Sequence, residues 1–254
     1  MPASEAHGRL RRKRTVTFDF KKRLALKVLA TGISLPEEPI DRIIELTHLK
    51  RLIALLRINC VLDVGANQGQ FASELRGIGF TGLIVSFEPL KSEFERLQKS
   101  FSRDPLWRGF QIALGAKRET AKINVIPHLT VMSSLLQATG KWRDMETEDI
   151  QIERLDEMFE RALGHFESPR VLLKMDTQGY DLNVFAGAHG CMKVIHALQS
   201  ELSVIPAYKE MPHYLEALAV YEQAAFELFN LSVVSRIATG GLQELNCLMK
   251  RKEA

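Results

Sequence analysis

Cysteine is scarce in this chain of 254 residues: Cys60, Cys191 and Cys247 are widely scattered, with no C-x-x-C pair. That spacing argues against a cysteine zinc site and a disulfide framework, and leaves three reduced packing thiols as the expectation. No apolar run reaches the roughly 18 residues that a membrane span needs. The basic N-terminus is not followed by an apolar segment with a small-residue cleavage site, so a secretory signal is not expected and a cytoplasmic protein is. Histidines in H-E-x-x-H spacing are missing too, and only His128, at the head of a polar stretch, invites a role. A further absence falls inside "VLDVGANQGQF", residues 61–71. The dinucleotide fingerprint G-x-G-x-x-G would place its second glycine where Asn67 stands, and a side chain there obstructs a pyrophosphate pressed against the turn. A nicotinamide-dependent oxidoreductase becomes the alternative reading, with a non-catalytic binding scaffold as the other.

What is present is an ordinary globular composition, 46% hydrophobic and 26% charged, with its charge unevenly spread. Residues 1–27 carry nine Lys and Arg against Glu5 and Asp19, a balance of +7 that leaves −4 for the rest. This sets off a basic N-terminal extension, residues 1–39, from a domain over 40–254. The extension reads as a solvated tail or as a basic amphipathic surface for anionic lipid, holding the protein at the inner membrane face. No aromatic-rich reader motif accompanies it, so nucleic acid is not an expected partner.

Helical spacing of apolar residues predicts a helix over 40–58. Apolar runs then alternate with helical segments: "CVLDV", "QFASELRGIG", "GLIVSFE", "KSEFERLQKSF" and "FQIALG", followed by "RVLLKMD", "DLNVFAGAHGCM", "ALQSEL" and "HYLEALAVYEQAAF". That alternation predicts an α/β domain with a mostly parallel sheet and helices on both faces. "ELFNLSVVS" and "ELNCLMKR" flank Gly240-Gly241 and predict a C-terminal antiparallel hairpin. The weakly periodic stretch 127–150 reads as a loop or lid near the site.

In such sheets ligands bind beyond the carboxyl ends of the strands. Gly65 and Gly69 permit a tight turn with close backbone approach, and a helix expected from near Gln68 offers free N–H groups. Asp63 is placed to receive an ammonium, directly or through water. Glu88 ends the second strand at the offset where an acid accepts both hydroxyls of a ribose. A ligand joining an amino acid to a ribose, without phosphates, fits both, and S-adenosylmethionine is such a ligand. The competing reading has Asp63 capping the turn and Glu88 capping a helix.

"VLDVGANQGQF", "VSFEP", "IALG", "MSSLL" and "LLKMDTQGYDLNVFAGA" together resemble the FkbM family of S-adenosylmethionine-dependent methyltransferases, over about residues 40–250. The resemblance implies a class I methyltransferase (Rossmann-like) fold of seven strands with the last one antiparallel. It implies that Asp63, Gly65, Ala66, Asn67 and Gln68 hold the methionine part, that Glu88 holds the ribose, and that Ala113 and Leu114 border the adenine. It also implies an acceptor class: a sugar hydroxyl, free or carrier-linked, on a glycolipid, polysaccharide or secondary metabolite.

Catalytic candidates fall on the fourth and fifth strands and the polar loop. "KMDTQGYD" puts Lys174 and Asp176 on one side of a strand, and Glu201 closes "LQSEL". Asp176 and Glu201 are candidate ligands for Mg²⁺, although Leu202 stands where a third carboxylate would help. Asp176 otherwise bonds the cofactor's ammonium or the acceptor hydroxyl, or simply pairs with Lys174. His128 is a candidate base, Tyr180 and Tyr208 weaker ones, and Ser133 and Ser134 read either as hydrogen-bonding groups or as turn residues.

Overall fold

The computed structural model describes residues 22–23, 25–28, 30–32, 37–140 and 145–252. Most of the basic segment 1–27, with its membrane reading, therefore lies outside the described residues. No described helix is long and apolar enough to cross a membrane.

Helix α1 spans Glu37–Leu56, and Pro39 sits in its first turn, where a missing N–H removes no intrahelical bond. The helix thus begins earlier than the apolar spacing suggests. Five strands that read as apolar or mixed runs follow one another into a main sheet: β1 (Cys60–Val64), β2 (Leu83–Phe87), β3 (Trp107–Phe110), and later β7 (Val171–Met175) and β8 (Ile195–Ser203). β1, β2 and β7 are buried at every residue, which is why they carry little polarity. The final pair, β9 (Phe226–Arg236) and β10 (Leu242–Arg251), completes the sheet in the order β3-β2-β1-β7-β8-β10-β9. β10 runs antiparallel to both β8 and β9, and the remaining neighbours pair in parallel. The expected terminal hairpin is β9–β10.

Alternation along the strands divides the core between two faces. Val61, Ile84, Leu172 and Ala197 pack with Leu49 and Leu52 of α1, with α2 (Gln70–Gly77) and with α3 (Lys91–Phe101). Leu62, Val85, Leu173 and Leu198 pack with α4 (Leu155–Leu163), α5 (Asp181–Gly187) and α6 (Tyr214–Gln223). Helices cover both faces, as the alternation predicts. The three cysteines are free and buried, and burial pushes each thiol up to about 12.

Three elements depart from what the sequence pattern predicts. "FQIALG" is not one strand: β3 ends at Phe110, and Ala113–Leu114 form a separate β4 that leaves the main sheet to pair with Ile152 and Glu153. The stretch 127–150 is not all loop, because β6 (Glu146–Glu153) pairs antiparallel with β5 (Glu119–Val125), giving a second sheet in the order β4-β6-β5. β6 buries only Ile150 and Ile152 fully among its acids, so its apolar signal is faint; Lys122 and Asp149 pair across the strands at 2.9 Å. Helix α4 has no counterpart among the predicted elements. The small sheet has its own core of Leu90, Ala113, Ile123, Ile150 and Ile152.

Candidate active site

From β1 the chain continues outward to β2 and β3, then returns to the other side of β1 as β7. The two connections diverge above β1 and β7, the position at which open α/β sheets bind ligands. There the residues after β1 turn sharply: Gly65, Asn67 and Gly69 have φ of 75°, 46° and 92°. A Cβ on Gly65 would lie 2.0 Å from the carbonyl oxygen of Asp176, so the turn after β1 touches the turn after β7 backbone to backbone. A Cβ on Gly69 would lie 2.6 Å from the Phe101 ring, so this glycine lets α2 close on α3, and α2 begins at Gln70 rather than near Gln68.

Glu88 is 4% exposed. Its Oε2 accepts the Asn67 N–H at 2.7 Å and its Oε1 the Leu90 N–H at 2.9 Å. Burial pushes the carboxyl up to about 7, with the two backbone donors opposing and Glu93 adding to the rise. Both oxygens keep a lone pair for a ligand hydroxyl.

Behind this turn a polar row crosses the sheet in register: Ser86 on β2, Asp63 on β1, Lys174 on β7 and Gln199 on β8. Trp107 Nε1–H donates to Ser86 Oγ at 3.1 Å, and Ser86 Oγ–H to Asp63 Oδ2 at 3.4 Å. Lys174 Nζ lies 3.0 Å from Asp63 Oδ1 and 3.5 Å from Asp176 Oδ2, and it donates to the Gly65 carbonyl at 3.1 Å. Burial favours the neutral amine, but the charges of Asp63 and Asp176 outweigh it and hold Lys174 above its ordinary value, as a cation. The Lys174–Asp176 pairing considered from the sequence is present, and Asp63 shares it.

A cleft of about 270 Å³ opens over these turns. Gly65, Ala66 and Asn67 line it from the first turn, Glu88 from the end of β2, and Ala113 and Leu114 from β4; Lys174 and Asp176 border it from β7. Of the residues singled out from the sequence, Asp63, Gln68, Gly69, His128, Ser134, Glu201 and Tyr208 stand outside its wall. Asp63 is fully buried behind Lys174, while Gln68 and His128 are exposed. Glu201 lines a separate cavity of about 10 Å³ and accepts Gln178 Nε2–H at 2.9 Å. Burial, with Asp176, Glu244 and Asp181 close by, raises the Glu201 carboxyl well above its ordinary range. Asp176 and Glu201 thus border different cavities. Among the described residues no group of three or more His, Cys, Asp or Glu is placed to hold a metal ion.

The roof of the cleft is a 3₁₀ turn, Thr130–Met132, and the residues after it. Asn67 Nδ2–H donates to Thr130 Oγ1 at 3.3 Å, Ser134 Oγ–H to the Gln178 carbonyl at 2.8 Å, and Tyr208 O–H to the Met132 carbonyl at 2.6 Å. Ser134 therefore acts as a tie between roof and turn, while Ser133 borders the cleft. Gln178 and Gln199 belong to the cleft without having stood out in the sequence. Gln178 lies just past the end of β7, whereas Gln199 sits in the middle of β8, where no strand-end signal marks it.

Solved structures resemble this chain at low identity. A putative caffeoyl-CoA O-methyltransferase from Staphylococcus aureus is 8% identical, with a TM-score of 0.46 over 95% of this chain and 99% of that one. A putative rRNA methylase from Clostridium thermocellum is 9% identical, with a TM-score of 0.46 over 87% and 100%. Fibrillarin from Aeropyrum pernix, with natively bound S-adenosyl-L-methionine, is 10% identical, with a TM-score of 0.44 over 75% and 66%. No curated protein is close enough in sequence to count as a relative. The family model described as the methyltransferase FkbM domain matches residues 63–228, more than half of the chain. This protein belongs to the FkbM family of S-adenosylmethionine-dependent methyltransferases.

Proposed function

We propose that the protein methylates a hydroxyl oxygen of a sugar, carried on a glycolipid, polysaccharide or secondary metabolite. One observation carries the choice of oxygen: Asp176, with a side chain 41% exposed, borders the cleft beside the cation of Lys174. A carboxylate so placed can take the proton from an acceptor hydroxyl as the oxygen attacks. S-adenosylmethionine, when bound, supplies a methyl group on a positively charged sulfur. Glu88 accepts from the ribose hydroxyls, and Ala113 and Leu114 flank the adenine. Ile123, Val131 and Leu135 give the cleft an apolar wall that keeps water from the reacting atoms. Lys174 holds Asp176 in place through their ion pair. The sugar as acceptor class rests on the family resemblance.

The test is transfer of labelled methyl from S-adenosylmethionine to a panel of glycosides and glycolipids. Asp176→Asn is expected to lower transfer about 100-fold while S-adenosylhomocysteine still binds. Labelling of nitrogen acceptors, or an unchanged rate in Asp176→Asn, refutes the assignment. For a lipid-linked acceptor, residues 1–27 would hold the enzyme on an anionic bilayer. The full chain is then expected to float with phosphatidylglycerol vesicles and a chain lacking these residues to stay behind.

A further inference from the structure

The cleft has a further stretch of wall to which the proposed chemistry gives no role. Arg42 of α1, Gln199 of β8 and Asn246 of β10 form that wall. Gln199 is 4% exposed, and its Nε2–H donates to Glu45 Oε1 at 2.8 Å. That bond fixes the amide, and Gln199 Oε1 is left buried without a hydrogen-bond partner. An unpaired buried amide oxygen is costly, and one in a cavity wall asks for a donor from a ligand. Asn246 Nδ2–H donates to the same Glu45 oxygen at 2.8 Å, so Glu45 braces both amides.

Arg42 supplies the opposite requirement. It gives one N–H to Glu45 at 2.5 Å and two to Glu74. A guanidinium has five N–H groups, which leaves two for a ligand carboxylate. A donor-seeking amide oxygen beside an arginine with spare N–H groups matches the two charged ends of an α-amino acid. The span agrees as well. Glu88 directly follows β2 and Gln199 lies on β8, three strand spacings away in the order β2-β1-β7-β8, or about 14 Å at the usual spacing. Adenosine carrying an extended four-carbon amino acid on its 5′ sulfur covers such a distance. Asp63, which the sequence pattern marks for the ammonium, is fully buried and taken by Lys174.

We propose that Gln199, Arg42 and Asn246 form the subsite for the amino-acid end of the cofactor, with Gln199 Oε1 accepting from its ammonium and Arg42 donating to its carboxylate. The inference rests on the methyltransferase reading and goes beyond it by assigning residues from α1, β8 and β10. Calorimetric titration with two ligands tests it: S-adenosylhomocysteine, and 5′-methylthioadenosine, which keeps adenosine and thioether but lacks the amino acid. Gln199→Met, close in shape but without an acceptor, is expected to weaken the first about tenfold, as loss of a hydrogen bond to a charged group does, and to leave the second unchanged. Arg42→Gln is expected to give the same split. Retained 5′-methylthioadenosine binding shows that the variants are folded. Equal weakening of both ligands, or no weakening of S-adenosylhomocysteine, overturns the subsite. Failure of the wild-type protein to bind either ligand overturns the methyltransferase reading itself.

Discussion

The central sheet presents two faces made from the same strands, and they differ at one level. On the face toward α4, α5 and α6, Leu62, Val85, Leu173 and Leu198 are joined by Val64, Phe87 and Met175, and the core stays apolar to the ends of β1, β2 and β7; only on β8 does that row close on a polar residue, Ser200, bonded to the buried Asp181 and Tyr221. On the face toward α1, α2 and α3, the apolar residues stop one step earlier and give way to Ser86, Asp63, Lys174 and Gln199. The first face holds the domain together mainly by apolar burial. The second gives its last row to charges and amides, and those are the groups that fix the turns lining the cleft. The buried polar groups that fix the cleft are confined to one layer on one side of the sheet, while Val64, Phe87 and Met175 of the opposite layer add apolar wall to it.

The sharpest break of this contrast is Lys174→Met. It strands the fully buried Asp63 carboxylate beside Ser86, and removing one partner of a buried pair costs about 4 kcal/mol. Urea unfolding measures it, and the double variant Asp63→Asn with Lys174→Met is expected to recover most of the loss. On the apolar face, Leu173→Ala opens a cavity at about 3 kcal/mol, with S-adenosylhomocysteine affinity unchanged by calorimetry. Gly65→Ala tests the joint between the turns after β1 and β7. Its left-handed φ and the Asp176 carbonyl in the way predict a loss of about 2 kcal/mol together with much weaker ligand binding, read by thermal shift with and without S-adenosylhomocysteine.

The smallest effect is a pH dependence. Glu88 titrates near 7 in the folded protein against an ordinary value of 4.5, so the fold prefers its protonated form. Its contribution to stability is therefore full below about pH 4.5 and is lost as the pH rises through 7, by about 1 kcal/mol between pH 6 and 8. Glu88→Gln should flatten that part of the stability profile. Ribose hydroxyls donate best to the ionised carboxylate, so S-adenosylhomocysteine affinity is expected to rise several-fold over the same range in the wild-type protein and to stay level in the variant.

Much of this architecture is legible in the amino-acid sequence itself. β1, β2 and β7 are buried on both faces, so they stand out as short apolar runs, and the single polar residue in "VLDV" or "LLKM" marks the level where the row begins. Gly65, Asn67, Glu88 and Asp176 can be placed because they sit at or just past strand ends, where chain direction alone brings them together. β6 escapes such a reading, since its four acids outnumber Ile150 and Ile152, and so does β4, which has only two residues. Arg42, Gln199 and Asn246 are hidden for another reason. No local pattern announces that a helix before β1 and a strand after the glycine turn at 240 will share one carboxylate.

That shared carboxylate has a consequence for how the protein is made. Glu45 and Asn246 are 201 positions apart, and between them come all the strands but β10 and every helix after α1. At a synthesis rate of about 5–20 residues per second, the wall of the cleft waits some ten seconds or more after Glu45 is added before Asn246 exists to complete it. During that interval β8 has no β10 beside it and β9 lacks its only neighbour in the sheet. The growing chain therefore passes through a stage with a nearly finished nucleotide end and an open sheet edge, and the insertion of β10 closes both the edge and the wall in a single event.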